Sequence, residues 1–273
     1  MGMKRIRATG LCLVAVFAVF AVAAATAAAE APELQPCGKA AKVGKKYTGK
    51  YTNKACSTES KTSEGKYELG VGSAQHYIIK TTSGPTFHSA CKEAYVACVE
   101  YWYCKSDKDN AEYEYKGGPY IQTIIVEYKE CVLKVPGKEI GCTSPGAKPG
   151  VIKTNKLHGK PVFLDKAKTK VGILISPEAG EVLEEFKCGE VAVKMRGAML
   201  GEITGDINEA TKVFTTKLET NEGRPAYLQV EETGPEISLF AEIVGLEPEP
   251  VTVLASEDGT DVGKVSKALE IRI

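Results

Sequence analysis

Cysteine is the residue type in this chain with the clearest chemical meaning. Nine cysteines occur, and eight of them follow a hydrophobic N-terminal stretch. No two form a Cys-x-x-Cys pair, which disfavours structural zinc and a thioredoxin-like redox site. An even number of cysteines behind an export signal favours disulfide bonds instead. The predicted disulfide cysteines are Cys37, Cys56, Cys91, Cys98, Cys104, Cys131, Cys142 and Cys188.

The pairing of these cysteines is only partly suggested by the sequence, since eight cysteines allow many connectivities. Cys37 and Cys56 flank a segment with very few aliphatic residues, so a bond between them is the natural stabiliser. A turn at Pro136-Gly137 favours a short-range bond between the cysteines on either side of it. The pairing that follows is Cys37–Cys56, Cys91–Cys98, Cys104–Cys188 and Cys131–Cys142.

Histidine and serine limit the hydrolytic chemistry that the chain could support. The three histidines are His76, His88 and His158, and neither an HExxH motif nor a Gly-x-Ser-x-Gly elbow occurs. Phosphate-binding loops of the dinucleotide and Walker types are absent as well. The sequence therefore predicts no catalytic residue, no cofactor and no metal ligand. The alternative is a secreted hydrolase whose triad combines Ser73 or Ser89, one histidine and a distant aspartate.

Clustered acidic residues are the remaining candidates for chemistry. Residues 107–110 and 257–261 each gather the hard oxygen donors that calcium prefers. Neither cluster fits the loop of a helix–loop–helix calcium site, and the same residue types form ordinary β-turns, which is the preferred interpretation. Glu184-Glu185 and Glu231-Glu232 are interpreted as solvent-facing or strand-face charges.

The N-terminus carries the pattern of an export signal. Lys4, Arg5 and Arg7 precede an apolar run at residues 11–20, and an alanine-rich stretch at 21–29 offers a cleavage site. We therefore expect a signal peptide at residues 1–29 and a secreted or cell-envelope-associated protein without a membrane span after cleavage. The alternative is an uncleaved anchor, because residues 11–29 approach the length of a spanning helix.

Charge is balanced overall but differs between the two parts of the chain. Residues 176–273 hold 20 acidic and 9 basic residues, a net charge of −11, whereas residues 8–175 hold 15 acidic and 23 basic residues, a net charge of +8. The basic residues are dispersed and the chain is not basic as a whole, which argues against a nucleic-acid partner. The asymmetry is interpreted as two differently solvated faces.

Short segments rich in Val, Ile, Thr and Tyr recur between Gly, Pro and Asn, which favours strands. Several segments alternate between apolar and polar residues, as in an antiparallel β-sandwich or a barrel-like body. A helix is indicated only weakly, at residues 178–186 after Pro177. The predicted strands are 77–82, 99–103, 120–128, 171–176, 191–195, 213–218, 227–231, 237–244, 251–255 and 269–273.

The expected organisation is an all-β chain with a small N-terminal segment. Residues 30–75 form a Lys-, Tyr- and Gly-rich segment closed by Cys37–Cys56, and residues 76–273 form a β-rich body, with two subdomains split near residue 165 as one possibility. Interleaved Lys and Tyr, as in Gly49-Lys50-Tyr51, could suit a polyanion. A solvated hairpin whose tyrosines lie on the body explains the same residues and is preferred.

Several short blocks resemble a known group of proteins. The residues in question are Gly141-Cys142-Thr143-Ser144-Pro145-Gly146-Ala147, Gly150 to Asn155, Leu157-His158-Gly159, Phe186-Lys187-Cys188-Gly189, Val193 to Gly197 and the Gly49 to Glu68 segment. The chain is similar here to exported β-rich proteins of high-GC Gram-positive bacteria that have no assigned function. The resemblance implies export and a β-rich body, and it offers no catalytic residue to transfer. Cys91 and Cys98 are additions to the usual set.

We therefore expect a non-enzymatic, binding or structural β-protein whose partner is a cell-wall polymer or an envelope protein. Trp102 and the neighbouring Tyr95, Tyr101 and Tyr103 are the nearest feature to a recognition platform. Aromatic residues alternating in a strand more often pack in the core and across strands, which is the competing interpretation.

Overall fold

A computed structural model describes residues 31–71, 75–90, 102–105, 110–115, 121–135, 137–221, 224–232, 234, 236–245 and 248–273. The predicted signal peptide, Cys91, Cys98, Ser73, Tyr95, Tyr101 and residues 107–109 of the first acidic cluster lie outside these ranges. The side chains of His76, His88 and Ser89 lie outside the description too, although their backbone belongs to a strand.

The described residues form antiparallel β-strands and no α-helix, which confirms the all-β prediction. Other than strands, the described elements include one 3-10 turn at Val230–Glu232. The strands are β1 Glu33–Lys39, β2 Lys42–Val43, β3 Lys46–Tyr47, β4 Tyr67–Leu69, β5 Gln75–Ala90, β6 Trp102–Cys104, β7 Asn110–Tyr115, β8 Ile121–Ile125, β9 Glu127–Tyr128, β10 Cys131–Val135, β11 Lys138–Thr143, β12 Ile152–Lys153, β13 Leu157–Phe163, β14 Val171–Pro177, β15 Val182–Cys188, β16 Val191–Gly197, β17 Met199–Thr204, β18 Thr211–Leu218, β19 Thr220–Asn221, β20 Arg224–Pro225, β21 Leu239–Val244 and β22 Val251–Arg272.

Two long strands, β5 and β22, organise the body by pairing with each other and with different neighbours at their two ends. The first circuit of hydrogen-bonded strands runs β5–β7–β8–β13–β14–β17–β18–β22 and returns to β5. The second circuit runs β5–β6–β10–β11–β15–β16–β21–β22. Because each circuit closes on the shared pair, its strands have partners on both sides, which protects sheet edges. The body is thus a large antiparallel sheet whose strands form two hydrogen-bonded circuits.

The alternation of apolar and polar residues along a strand determines which side chains face the core and which face solvent. Val191, Val193 and Met195 of β16 are buried, and the residues between them are partly exposed, as the sequence predicted. Trp102 is fully buried and meets Phe186 edge to face at 6.0 Å between ring centroids. Aromatic pairs prefer this geometry, so these two rings fix the centre of the second circuit.

Three local predictions are wrong. The expected helix at 178–186 is a bend followed by β15, in which a bulge between Val182 and Glu184 turns both Leu183 and Glu184 inward. This bulge gives the spacing of buried residues that imitates a helix. Residues 257–261 are not a turn but belong to the middle of β22. This part of β22 pairs with β18 and with β5, and shifts in register accommodate its Asp and Gly residues. Residues 227–231 are not a strand.

The disulfides correct two of the predicted pairs. Cys37 is bonded to Cys56 as expected. The other two described bonds are Cys104–Cys131 and Cys142–Cys188, so the predicted pairs Cys104–Cys188 and Cys131–Cys142 are wrong.

Strand register gives the physical reason. Cys104 lies opposite Cys131 in β6–β10, and Cys142 lies opposite Cys188 in β11–β15. The register of β10 and β11 would also place Cys131 beside Cys142, one step beyond Val132 and Gly141. The four cysteines thus form a row across the adjacent strands β6, β10, β11 and β15. The disulfides join β6 to β10 and β11 to β15, rather than the two middle strands β10 and β11.

The N-terminal segment attaches to the body through β1, which pairs with the end of β22. Cys37, Cys56 and Tyr67 are buried in a cluster with Ala268 of β22, while Tyr51 packs at its margin. Lys42 lies 4.6 Å from the centroid of the Tyr47 ring. Tyr67 therefore lies against the body, as the hairpin interpretation expects, whereas Tyr47 contacts Lys42 of its own segment.

Candidate functional site

The outer face of the first circuit is covered by a second apolar cluster. Val162, Leu164 and Leu200 are buried there, and Tyr227 and Val230 pack against them. The last two belong to residues 224–232 and 236–238, which we call the covering segment. Because core-facing and outward-facing side chains alternate along β13, this cluster is separate from the main core.

A cleft of about 490 Å³ opens between the turn after β13 and the covering segment. We call it the outer cleft. Its lining combines apolar and polar side chains, as ligand-binding clefts commonly do. The lining residues are Leu164, Asp165, Lys170, Ala226, Tyr227, Leu228 and Gln229.

A glycine allows the floor of the outer cleft to form. A Cβ atom at Gly172 would lie 2.5 Å from Leu164 Cδ2 and 2.7 Å from the carbonyl oxygen of Gly201. Both distances are shorter than the closest approach of a real Cβ atom. The Leu164 side chain can therefore pack over β14 only because residue 172 is glycine.

Asp165 fixes the turn on one side of the outer cleft. Its carboxylate accepts hydrogen bonds from the Thr169 hydroxyl and from the amides of Thr169 and Lys170, the last two at 2.9 Å. The Thr169 hydroxyl, followed by the Lys170 amide, lowers the pKa of this carboxyl. The bonded turn places Lys170 at the rim of the cleft.

Tyr227 supplies the aromatic wall of the outer cleft. Its hydroxyl donates to the Glu202 carboxylate on β17, and the Lys170 ammonium lies 5.9 Å from its ring centroid. Burial, reinforced by the Glu202 hydrogen bond, raises the pKa of the phenol, which therefore stays protonated at neutral pH. These two contacts thus restrict the orientation of the ring.

A second feature, a small internal chamber, lies where the chain crosses between the two circuits. The crossing from β16 to β17 passes through Gly197, whose φ of +108° is left-handed. The free volume is about 10 Å³, enough for about one water molecule. The lining residues are Tyr128, Thr154, Leu183, Glu184, Met195, Met199, Leu239 and Glu257.

Glu184 is the unusual group of this chamber. Its side chain points inward because of the β15 bulge, only 3% of the residue is exposed, and Oε2 has no hydrogen-bond partner in the described part of the chain. Burial raises the pKa of Glu184 to about 8. Across the chamber, the Tyr128 hydroxyl donates to Glu257 Oε1 at 3.1 Å. The interpretation of Glu184 as a solvent-facing charge is therefore wrong, whereas its neighbour Glu185 does face solvent and pairs with Lys194.

The proposed aromatic platform is not assembled at Trp102, which belongs to the core. Tyr103 faces outward, but Lys134 lies 4.3 Å and Lys105 5.6 Å from its ring centroid. Its hydroxyl also donates to Glu139 at 2.8 Å. The packing interpretation of this strand is the one observed.

Among the candidate triad residues, His158 is the histidine whose side chain is described. Its Nε2 lies 3.0 Å from the Ser176 hydroxyl, directly across the β13–β14 pair. The sequence singled out Ser73 and Ser89 instead, because a serine opposite a histidine in the next strand is visible only once the register is known.

The described residues contain no group of three or more His, Cys, Asp or Glu side chains placed to hold a metal ion. They also contain no helix with the length and hydrophobicity needed to cross a bilayer. No protein-family model, curated protein or solved structure matches the chain.

Proposed function

We propose that this chain is an exported, non-enzymatic β-protein of the cell envelope that binds a hydroxyl-rich cell-wall polymer in the outer cleft. The observation that carries the proposal is the cleft itself. Its volume of about 490 Å³ falls within the range of ligand-binding sites, roughly 300–1,000 Å³.

The chemistry of the lining supports a sugar-like ligand. Leu164, Leu228 and the Tyr227 ring offer apolar surface to the C–H faces of a sugar ring. The Gln229 amide and the Lys170 ammonium supply donors for hydroxyl groups, and the ammonium also attracts carboxylate or phosphate substituents. Because Glu202 and the Asp165 turn fix two walls, binding would cost little ordering of the site.

The location supports the same proposal. The three described disulfides support an oxidising, extracytoplasmic compartment, where such bonds persist. Export by residues 1–29, with cleavage near Ala29, is the route that the sequence predicts. The resemblance to exported proteins of high-GC Gram-positive bacteria supports a partner in the cell envelope.

We expect Tyr227→Ala to weaken co-sedimentation with insoluble cell-wall fractions about fivefold, because an aromatic contact contributes on the order of 1 kcal/mol beyond simple burial. Lys170→Ala, whose side chain is exposed, should weaken binding without changing the melting temperature. Tyr103→Ala is the control, since this tyrosine lies on the other circuit. Equal binding by wild type, Tyr227→Ala and Lys170→Ala would contradict the proposal.

A secreted hydrolase is the second candidate, and the contact between Ser176 and His158 is the observation that favours it. The same preparations can be incubated with ester, peptide and glycoside substrates. Turnover that disappears in Ser176→Ala would replace the binding proposal with an enzymatic one, whereas turnover that survives this change would exclude the Ser176–His158 pair as its source.

A further inference from the structure

The chamber around Glu184 lies at the junction of the two circuits, and it is independent of the outer cleft. Thr154 borders it from the crossing between β12 and β13, and Met195 and Met199 border it from either side of the β16–β17 crossing. Glu257 borders it from the middle of the shared strand β22. A change inside the chamber therefore acts where the circuits are joined.

The junction is held by a few backbone contacts around the β15 bulge. The Asn155 amide donates to the Leu183 carbonyl at 2.6 Å, and the Asn155 side chain donates to the Val182 carbonyl at 2.9 Å. Thr154 forms an isolated β-bridge with Glu184. The position of the Glu184 carboxyl is thus linked directly to the segment that crosses between the circuits.

The surroundings of Glu184 favour a neutral carboxyl. Leu183, Met195, Met199 and Leu239 supply apolar walls, and the lining contains no basic side chain. The titratable groups that face Glu184 are Tyr128 from β9 and Glu257 from β22, and the lining contributions of β16, β17, β21 and the 154 crossing are uncharged. A carboxylate buried in such a setting carries a large desolvation cost, because no cation among the lining groups compensates its charge.

We propose that Glu184 is a proton-operated latch: the protonated side chain lets the bulge of β15 close against residues 154–155, and ionisation loosens this junction. Ionisation favours any state in which Glu184 reaches water. The nearest such state is opening of the Asn155 contacts, because two hydrogen bonds, to the Leu183 and Val182 carbonyls, join this residue to the bulge. The latch would couple the pH of the envelope to the mobility of the crossing segment.

The sign of the pH dependence follows from the two states. The closed state holds its proton up to a pKa of about 8, whereas the open state titrates near the ordinary value of 4.5. The closed state is therefore most stable, relative to the open state, below about pH 4.5. This relative stability falls as the pH rises and becomes constant above about pH 8. Within this window the opening equilibrium should rise about tenfold per pH unit.

Amide hydrogen exchange followed by NMR tests the latch. Between pH 5.5 and 7.5, after correction for intrinsic exchange, the protection of the Asn155 amide, which donates to the Leu183 carbonyl, should fall about a hundredfold in the wild type. It should stay constant in Glu184→Gln, which keeps the shape of the side chain and removes its titration. Glu185→Gln, one residue away and facing solvent, should behave as the wild type.

Constant protection in the wild type, or an equal fall in Glu184→Gln, would overturn the proposal. If Glu184→Gln does not fold, carbon-detected NMR of the glutamate carboxyls in the wild type can measure the titration of Glu184 directly. The Glu184 signal should then titrate near pH 8 in the wild type. A midpoint near 4.5 would show that no latch exists.

Discussion

Replacing Cys142 and Cys188 together by alanine is expected to lower the free energy of unfolding of the body by about 4 kcal/mol. The bond joins residues 46 positions apart, and its loss releases a long loop in the unfolded chain. Both cysteines are fully buried in the core of the second circuit, so the double variant also leaves space behind. Because domains retain only about 5–15 kcal/mol in total, thermal melting should reveal a large loss.

The bond between Cys37 and Cys56 provides the control. It closes a loop within the N-terminal segment, whose small cluster touches the body mainly at the end of β22. Its removal should loosen the segment and change the melting of the body little. A body that is equally sensitive to both double variants would contradict the separation of the two clusters.

Peptide mapping tests the connectivity on which this prediction depends. Lys105 separates Cys104 from Cys131, and Lys138 separates Cys131 from Cys142, so trypsin can release the half-cystines on different peptides. The non-reduced digest should link Cys104 to Cys131 and Cys142 to Cys188. A peptide linking Cys131 to Cys142 would show that the inner neighbours of the row are bonded instead.

Trp102→Ala is expected to cost about 4 kcal/mol of stability, the range for deleting a large buried aromatic side chain. Trp102 is completely buried and packs edge to face against Phe186, so its removal leaves a cavity at the centre of the second circuit. Urea unfolding monitored by far-UV circular dichroism measures the loss, since Trp102 is the one tryptophan available for fluorescence.

The neighbouring residue gives a matched comparison. Tyr103 faces outward and is held by Glu139, Lys105 and Lys134, contacts that contribute little at an exposed surface. Tyr103→Ala should therefore cost less than about 1 kcal/mol. Similar costs for Trp102→Ala and Tyr103→Ala would mean that this strand does not separate a core face from a solvent face.

The all-β class was readable from the sequence because alternation, as at Val191 to Met195, is a local signal of a half-buried strand. The closure of two circuits was not readable, since it depends on β22 running unbroken through Asp258 and Gly259, residues that locally favour a turn. The cysteine row was missed for a related reason. Its bonds follow the register between strands that are distant in sequence, such as β11 and β15.

The two candidate sites were hidden by local irregularities. Glu184 reads as a strand-face charge beside Glu185, and only the bulge between β15 and β16 turns it inward. Tyr227 fits a strand pattern, but its backbone belongs to no strand, and its place in the outer cleft depends on contacts with Glu202 and Lys170. Each residue gains its role from contacts that no short window of sequence contains.

Titration of the isotope-labelled mature protein with soluble cell-wall glycan fragments, followed by NMR, tests the central claim most directly. The account predicts saturable shifts of backbone amides at residues 164–170 and 226–229, which line the outer cleft, and their loss in Tyr227→Ala. Shifts confined to the Lys-, Tyr- and Gly-rich segment at residues 30–75, or no shifts at saturating fragment, would contradict it.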